Sequence, residues 1–422
     1  MPDSVPAPLY VSTRGGGDAV PFREALLDGL APDGGLYVPT EIPALPDDWA
    51  SASDRAVLGA AVLSAWLPEV TDLGALVEDA LSFPIPLVSL GDGVHVLELF
   101  HGPTLSFKDI GARTMARLMA DALQGEEVTI LAATSGDTGS AVADGFAGVP
   151  GVRVVLLYPK GGVSDVQERQ LIVARDGVQA LAVEGTFDDC QRLVKVAFAE
   201  RAPGDRRLSS ANSINIGRLL PQMLYTTWAL RQLGEPGTVV VPSGNLGNLT
   251  AATMAMRAGL PVTGFVAAHN ANDGFVRFLD GADAPASASV PTLSNAMDVG
   301  VPSNLERLRS LFSDADLRAL VHGETVTDHE TLAAMRRVHD ETGYVADPHT
   351  AVGLEAVRRR HADGVSGPMV VLSTAHPAKF PDAVAEATGV TPSAPPRLAR
   401  LWEAPTAVDT IPAELDALRR YI

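Results

Sequence analysis

Two kinds of hydrophobic spacing divide the chain. From Val128 onward, short apolar runs alternate with stretches in which apolar residues return every three or four positions. Val128 to Ala133 is followed by a helical pattern from Thr138 to Phe146, Val152 to Leu157 by one from Ser164 to about Ala174, and Val178 to Val183 by one from Thr186 to Glu200. Runs of that length suit strands covered on both faces, and strand and helix in alternation predict a parallel α/β sheet. A second series begins at Asn212. A long apolar helix through Ile216, Leu219, Leu220, Met223, Leu224 and Trp228 leads to a strand at Val239 to Val241, a glycine-rich loop, a helix rich in Ala and Met, and a strand from Val262 to Ala268. Ser164 with Gln167 and Thr327 with Glu330 have capping-box spacing and predict helix starts, the second helix stopping at Gly343. Met369 to Leu372 reads as a last core strand, and the tail after Pro392 as irregular.

Ahead of these units the pattern is weaker. Tyr10 to Pro43 is rich in Gly and Pro around two short apolar pieces, Asp54 to Trp66 and Leu73 to Leu81 have helical spacing, and Pro84 and Pro86 interrupt regular structure. Val94 to Leu99 predicts a strand, and Ile110, Met115, Leu118 and Met119 mark an amphipathic helix just after Lys108. The expected organisation is an N-terminal region over 1–87, a smaller α/β domain over 88–211 and a larger one over 212–422, with the low-complexity stretch Gly281 to Ser289 as an exposed loop.

Composition narrows the function. With 422 residues, 46 % of them hydrophobic and 20 % charged, the chain has the makings of a substantial globular core. A formal net charge of −19 argues against nucleic acid or an anionic membrane as partner, so any anionic ligand needs a local site. Cys190 is the only cysteine, which excludes an intrachain disulfide, and its place on the stripe Phe187, Cys190, Leu193, Val194, Ala197 predicts a buried thiol. The nine histidines show no HExxH spacing, so no metal site is expected. Ala56 to Leu67 is too short to cross a bilayer, and Met1 to Pro8 lacks the basic and apolar regions of a signal peptide; a cytoplasmic protein is expected.

Four stretches carry candidate chemistry. Lys108, after Phe107 at a helix start, is either a solvated surface lysine or a desolvated amine able to attack an aldehyde. Thr134-Ser135-Gly136-Asp137-Thr138-Gly139 lies between strand and helix, where hydroxyls and backbone N–H groups suit a carboxylate, or simply cap a turn. Ser243-Gly244-Asn245-Leu246-Gly247-Asn248 repeats that design and suits a phosphate, or is an ordinary tight turn; it is neither a P-loop nor a dinucleotide fingerprint. Asn212, Ser213 and Arg218 form either an anion grip or a helix cap with a surface arginine. Thr374, ending a core strand, has a hydroxyl to offer a ring nitrogen.

Taken together these residues resemble the threonine synthase family. The matching motifs are His101-Gly-Pro-Thr-Leu-x-Phe-Lys-Asp109, Ala133-Thr-Ser-Gly-Asp-Thr-Gly139, Asn212-Ser-Ile-Asn215, Pro242-Ser-Gly-Asn-x-Gly247, Leu293-Ser-Asn-Ala-Met-Asp298 and Thr374-Ala-His-Pro-Ala-Lys-Phe380, and Gly29 to Pro39 is similar to the N-terminal region of the family's longer branch. The resemblance implies the type II fold of pyridoxal-phosphate enzymes, shared with the β subunit of tryptophan synthase. It implies a pyridoxal 5'-phosphate cofactor and the conversion of O-phospho-L-homoserine and water to L-threonine and phosphate by γ-elimination and β-addition, the last step of threonine biosynthesis.

By the same resemblance, Lys108 holds the cofactor as an imine and shuttles protons. Gly244, Asn245, Leu246, Gly247 and Asn248 cradle its phosphate, and Thr374 meets its pyridine nitrogen. Ser135 and its neighbours hold the substrate carboxylate, while Thr138, Asn212, Ser213 and Arg218 grip the substrate phosphate. The partners implied are this small molecule alone, with no nucleic acid or membrane, in a monomer or homodimer. Asp137 stands where many type II enzymes have Asn near the cofactor's phenolic oxygen, and is expected to be protonated or to point elsewhere. A sibling lyase acting on serine or threonine would have no need of Arg218, a non-catalytic sensor of phosphorylated amino acids no need of Lys108, and a nicotinamide-dependent dehydrogenase would need the absent fingerprint.

Overall fold

A computed structural model describes residues 7–134, 136–200, 206–283 and 288–422. Ser135, residues 1–6 of the N-terminal stretch and 284–287 of the expected loop lie outside the described residues. A five-stranded parallel sheet runs, edge to edge, Val408–Pro412, Val178–Glu184, Val152–Pro159, Val128–Ala133, Arg207–Ser209. A six-stranded sheet runs Val321–Thr325, Val262–His269, Gly237–Pro242, Met369–Ser373, Val94–Glu98, Leu87–Gly91, parallel except for the hairpin joining the last two. Before them comes a small antiparallel pair, Tyr10–Ser12 with Tyr37–Pro39.

The central strands form where the apolar runs are longest. All six residues of Val128–Ala133 and all five of Met369–Ser373 are buried, as covering by helices on both faces requires. Helix starts follow the predicted caps: Ser164 and Gln167 exchange bonds at Asp165–Ile172, and Thr327 and Glu330 at Asp328–Thr342, which ends on Gly343 at φ 72°. One hydrophobic core joins the N-terminal region to residues of both sheets, with Trp66, Val77, Leu97, Val128 and Val239 all within it.

Sheet membership crosses the boundary expected at 211/212. Val94–Glu98 belongs to the six-stranded sheet, in register with Met369–Ser373, and the tail expected to be irregular contains Pro396–Leu401 as a helix and Val408–Pro412 as an edge strand of the other sheet. The tail strand escaped the sequence pattern because only Ile411 of its five residues is buried, so it shows neither alternation nor an apolar run. The edge strands Leu87–Gly91 and Val321–Thr325 were missed for the same reason.

Candidate active site

The segment before Lys108 is tied to the end of the central strand Met369–Ser373. Phe107 N–H donates to Thr374 O at 2.9 Å, His376 N–H to Leu105 O at 3.1 Å, and Ser106 pairs with Ala375. Leu105 adopts φ 61°, a left-handed turn unusual for a leucine and held here by burial. Lys108 therefore opens the helix Lys108–Leu123 beside Thr374, which is itself buried.

On the other side stands Asp137, first residue of the helix Asp137–Phe146. Thr134 Oγ1 accepts from Gly136 N–H at 3.0 Å and Gly139 N–H at 2.8 Å, capping the turn. Gly136 has φ 134°, and a Cβ there would lie 2.6 Å from Gln167 Cδ, so both backbone and space require glycine. Asp137 Oδ1 accepts from Lys379 Nζ at 2.6 Å and from Gln167 Nε2 at 3.3 Å, while Asp137 Oδ2 lies 4.0 Å from Lys108 Nζ. Lys379 also donates to Thr104 O at 3.2 Å.

Burial and charge set the protonation of this group. The Lys108 side chain is only 14 % exposed. Burial brings its ammonium down to about 8; Asp137 opposes that, while Lys379 and Arg218 push the same way. Burial alone would raise the Asp137 carboxyl, but the Lys379 and Lys108 ammonium groups more than reverse it and hold it well below the usual carboxylate range. Asp137 is turned toward two lysines, whose charges favour its ionised form. Asp109, buried against Thr104 N–H at 2.9 Å and Thr104 Oγ–H at 2.6 Å, is pushed up to about 6 by its burial.

The glycine-rich loop follows the strand Gly237–Pro242. Leu246 adopts φ 60° at the start of the helix Gly247–Arg257, and no side chain caps that start. The side chains of the loop's asparagines are already engaged: Asn248 accepts from Ser243 Oγ–H at 2.7 Å and donates to Pro242 O at 2.8 Å, and Asn245 Nδ2 donates to Ser213 Oγ, outside the loop, at 2.7 Å. What the loop offers a ligand is backbone N–H groups at a helix N-terminus. Its glycines are closely packed: a Cβ on Gly244 would lie 2.9 Å from Met297 Cα, too near for a side chain, and one on Gly247 would lie 3.1 Å from Ser213 Cβ, which would have to give way slightly.

Ser213, expected beside a substrate anion, thus also braces this loop. Asn212 Nδ2 donates to Ala133 O at 3.4 Å, joining its segment to the Thr134–Gly139 turn, where Thr138 is half-buried. Arg218 is buried rather than on the surface, donates to Ala211 O, and is lowered to about 10 by burial with no carboxylate bonded to it among the described residues. The site's cations face inward in a chain of strongly negative net charge.

Three contributors were not foreseen. Lys379 lies inside the motif Thr374 to Phe380, yet only its partner in space reveals its role. His349 donates from Nδ1 to Asp347 at 2.7 Å and accepts Ala296 N–H at Nε2, 3.1 Å, fixing the Leu293–Asp298 loop. Arg307, fully buried, donates to Tyr37 O, Ser213 O and Ile214 O and so links the N-terminal strand pair to the Asn212–Asn215 segment.

Residues 83–375 match the family described as pyridoxal-phosphate dependent enzymes, which gives the class: an α/β enzyme using pyridoxal 5'-phosphate. Residues 9–80 and 350–422 match the N-terminal and C-terminal regions of threonine synthase. Threonine synthase of Serratia marcescens is 41 % identical, with 96 % of each chain covered. Among solved structures, the threonine synthase of Brucella melitensis with pyridoxal phosphate bound is similar at a TM-score of 0.91 and 36 % identity, and that of Escherichia coli at 0.90 and 40 %, each covering 98 % of both chains. The chain belongs to the threonine synthase family, lyases that form L-threonine and phosphate from O-phospho-L-homoserine and water.

The residues present fit the cofactor. Besides the uncapped helix start and the mostly buried amine, Ser106 Oγ, Asn212 Oδ1 and Asn295 Oδ1 are buried polar atoms with no hydrogen-bond partner, the expected condition of a site shaped for a polar ligand. Among the described residues there is no group of His, Cys, Asp or Glu able to hold a metal, and no helix long and apolar enough to cross a membrane.

Proposed function

We propose that Lys108 is the residue that takes pyridoxal 5'-phosphate covalently and then moves the protons of the threonine synthase reaction. The observation that carries this reading is the mostly buried Lys108 amine, brought down to about 8 by burial, between the Thr374 strand end and the Asp137 turn. Backbone N–H groups of Gly244, Asn245, Leu246, Gly247 and Asn248 receive the cofactor phosphate, and the Thr374 hydroxyl meets the ring nitrogen. Ser135 and its neighbours bind the substrate carboxylate; Thr138, Asn212, Ser213 and Arg218 bind the substrate phosphate, Arg218 with the inward-facing guanidinium that a dianion needs.

When bound, the cofactor supplies a sink for negative charge at the substrate's Cα. Lys108 Nζ would remove the Cα proton and then serve Cβ, one mobile amine acting at the two positions in turn. Arg218 and Asn212 hold the phosphate while its bond to Cγ breaks and receive it afterwards as a free anion. A neutral Thr374 hydroxyl at the ring nitrogen, in place of a carboxylate, leaves that nitrogen less protonated and tempers the sink, which disfavours transamination. We further infer a cytoplasmic enzyme, monomeric or homodimeric, that acts without nucleic acid, in keeping with the net charge of −19.

Phosphate release and threonine formation from O-phospho-L-homoserine test the assignment. Lys108→Ala is expected to lose the visible absorption of the bound cofactor and all threonine formation. Arg218→Ala is expected to keep the absorption and to raise KM by about 100-fold, the loss of a paired, desolvated guanidinium. An Arg218→Ala enzyme with wild-type KM sinks the phosphate assignment.

A further inference from the structure

The chain has four lysines against twenty-eight arginines, and two of the four, Lys108 and Lys379, face the one carboxylate of Asp137. They do so unequally. Lys379 Nζ makes the short bond, 2.6 Å to Oδ1, and is anchored from behind by Thr104 O at 3.2 Å; Lys108 Nζ is left at 4.0 Å from Oδ2, beyond hydrogen-bond reach. Gln167 Nε2, 3.3 Å from the same Oδ1, helps to fix the carboxylate on the Lys379 side. Lys379 has no exposed side-chain surface, so its only evident use for a buried charge is this pair.

We propose that Lys379 is a positioning residue for the amine chemistry at Lys108: by engaging the Asp137 carboxylate it keeps that carboxylate from binding Lys108, and so leaves Lys108 Nζ available as a free amine. This rests on the reading of Lys108 as the cofactor lysine. The charged and titratable neighbours are few. Lys108 is faced by Asp137, Lys379 and Arg218; Asp137 by the two lysines and by His349; Lys379 also by His376; and Asp109 lies close to Lys379, Arg218 and Asp144. Of these only Asp137 holds the Lys108 proton on, while Lys379 and Arg218 favour its release.

The signs make the idea testable. In Lys379→Met the carboxylate loses its short bond and gains freedom to bind Lys108, whose proton is then held more tightly. In Asp137→Asn the only group holding that proton is gone, and the amine is freed at lower pH. Covalent attachment needs the free amine: Nζ would bond to the cofactor's aldehyde carbon, its two protons would pass to the aldehyde oxygen, and that oxygen would leave as water. The measurement is the rate at which the full chain, freed of cofactor, regains visible absorption on adding pyridoxal 5'-phosphate, as a function of pH, with borohydride reduction and peptide mass to locate the modified lysine.

The midpoint pH is expected to rise by about one unit in Lys379→Met, a roughly tenfold slower uptake at neutral pH, and to fall in Asp137→Asn. A general loosening of the site would slow both variants without moving their midpoints in opposite directions. Unchanged midpoints, or shifts of the same sign, overturn the proposal. A reduced label found on a lysine other than Lys108 in the wild-type chain instead overturns the reading on which it rests.

Discussion

Arg307 has no exposed surface and no carboxylate bonded to it among the described residues, yet it holds three parts of the molecule together. Its Nε donates to Tyr37 O at 3.0 Å, one terminal nitrogen to Ile214 O at 2.8 Å, and the other to Ser213 O at 3.3 Å and Asn304 Oδ1 at 2.5 Å. Asn304 in turn donates to Asn245 O at 3.0 Å, in the glycine-rich loop. Arg307→Met keeps the length of the side chain and removes every donor. Ser213 O keeps a donor in Asn304 Nδ2 at 3.3 Å, and the other three acceptors, stranded at about 1–3 kcal/mol each, give a gross loss of about 3–9 kcal/mol. Several kcal/mol return because a buried cation no longer has to be desolvated, leaving a net loss on the order of 3–5 kcal/mol.

The two loops that Arg307 steadies are those proposed to hold the cofactor and substrate phosphates, so the loss has a second signature. Denaturant midpoints of the full chain are to be measured with and without pyridoxal 5'-phosphate. The cofactor-free midpoint is expected to fall, and the extra stability conferred by a fixed excess of cofactor is expected to shrink by about 1.4 kcal/mol for each tenfold loss of affinity. If Arg307→Met loses less than about 1 kcal/mol and keeps its cofactor affinity within twofold, the guanidinium is not the tie its bonds describe.

Gly244→Ala places a Cβ 2.9 Å from Met297 Cα, a backbone atom that cannot swing aside, so cofactor affinity is expected to drop at least about tenfold in an absorbance titration while the fold survives. Asp109 binds its proton more tightly folded, at about 6, than unfolded, near 3.8. The native state therefore carries more protons between those values, and this group's contribution to stability falls as pH rises through that window, by up to about 1.4 kcal/mol per pH unit, and is constant above it. Asp109→Asn should remove that slope from the profile of denaturation midpoint against pH, and parallel profiles would refute it. Cys190 is fully buried and its thiol is pushed up to about 12 by burial, so a thiol reagent at pH 8 should find no reactive group in the native chain and one per chain in denaturant.

What could be read from the sequence follows from how each element is stabilised. Val128–Ala133 and Met369–Ser373 are buried on both faces, so their composition announces them; Val408–Pro412, buried only at Ile411, carries no such mark. Ser164 and Thr327 were legible because a capping box closes on itself within four residues. Lys108 and the glycine loop could be found by motif, but the state of Asp137 could not. Its ionisation depends on Lys379, which is 242 positions away and reaches it only through the fold. Arg307 gave no signal at all, since its partners are main-chain carbonyls that any residue supplies.

The interleaving of the two sheets also bears on how the molecule is made. Val94–Glu98 leaves the ribosome early and lacks its parallel partner on one side until Met369–Ser373 has been synthesised; Val178–Glu184 waits in the same way for Val408–Pro412. Neither sheet can reach its final strand count before those later strands emerge. Until then each keeps an exposed strand edge, and that interval is the stretch of the protein's life in which association with other nascent chains competes most directly with folding.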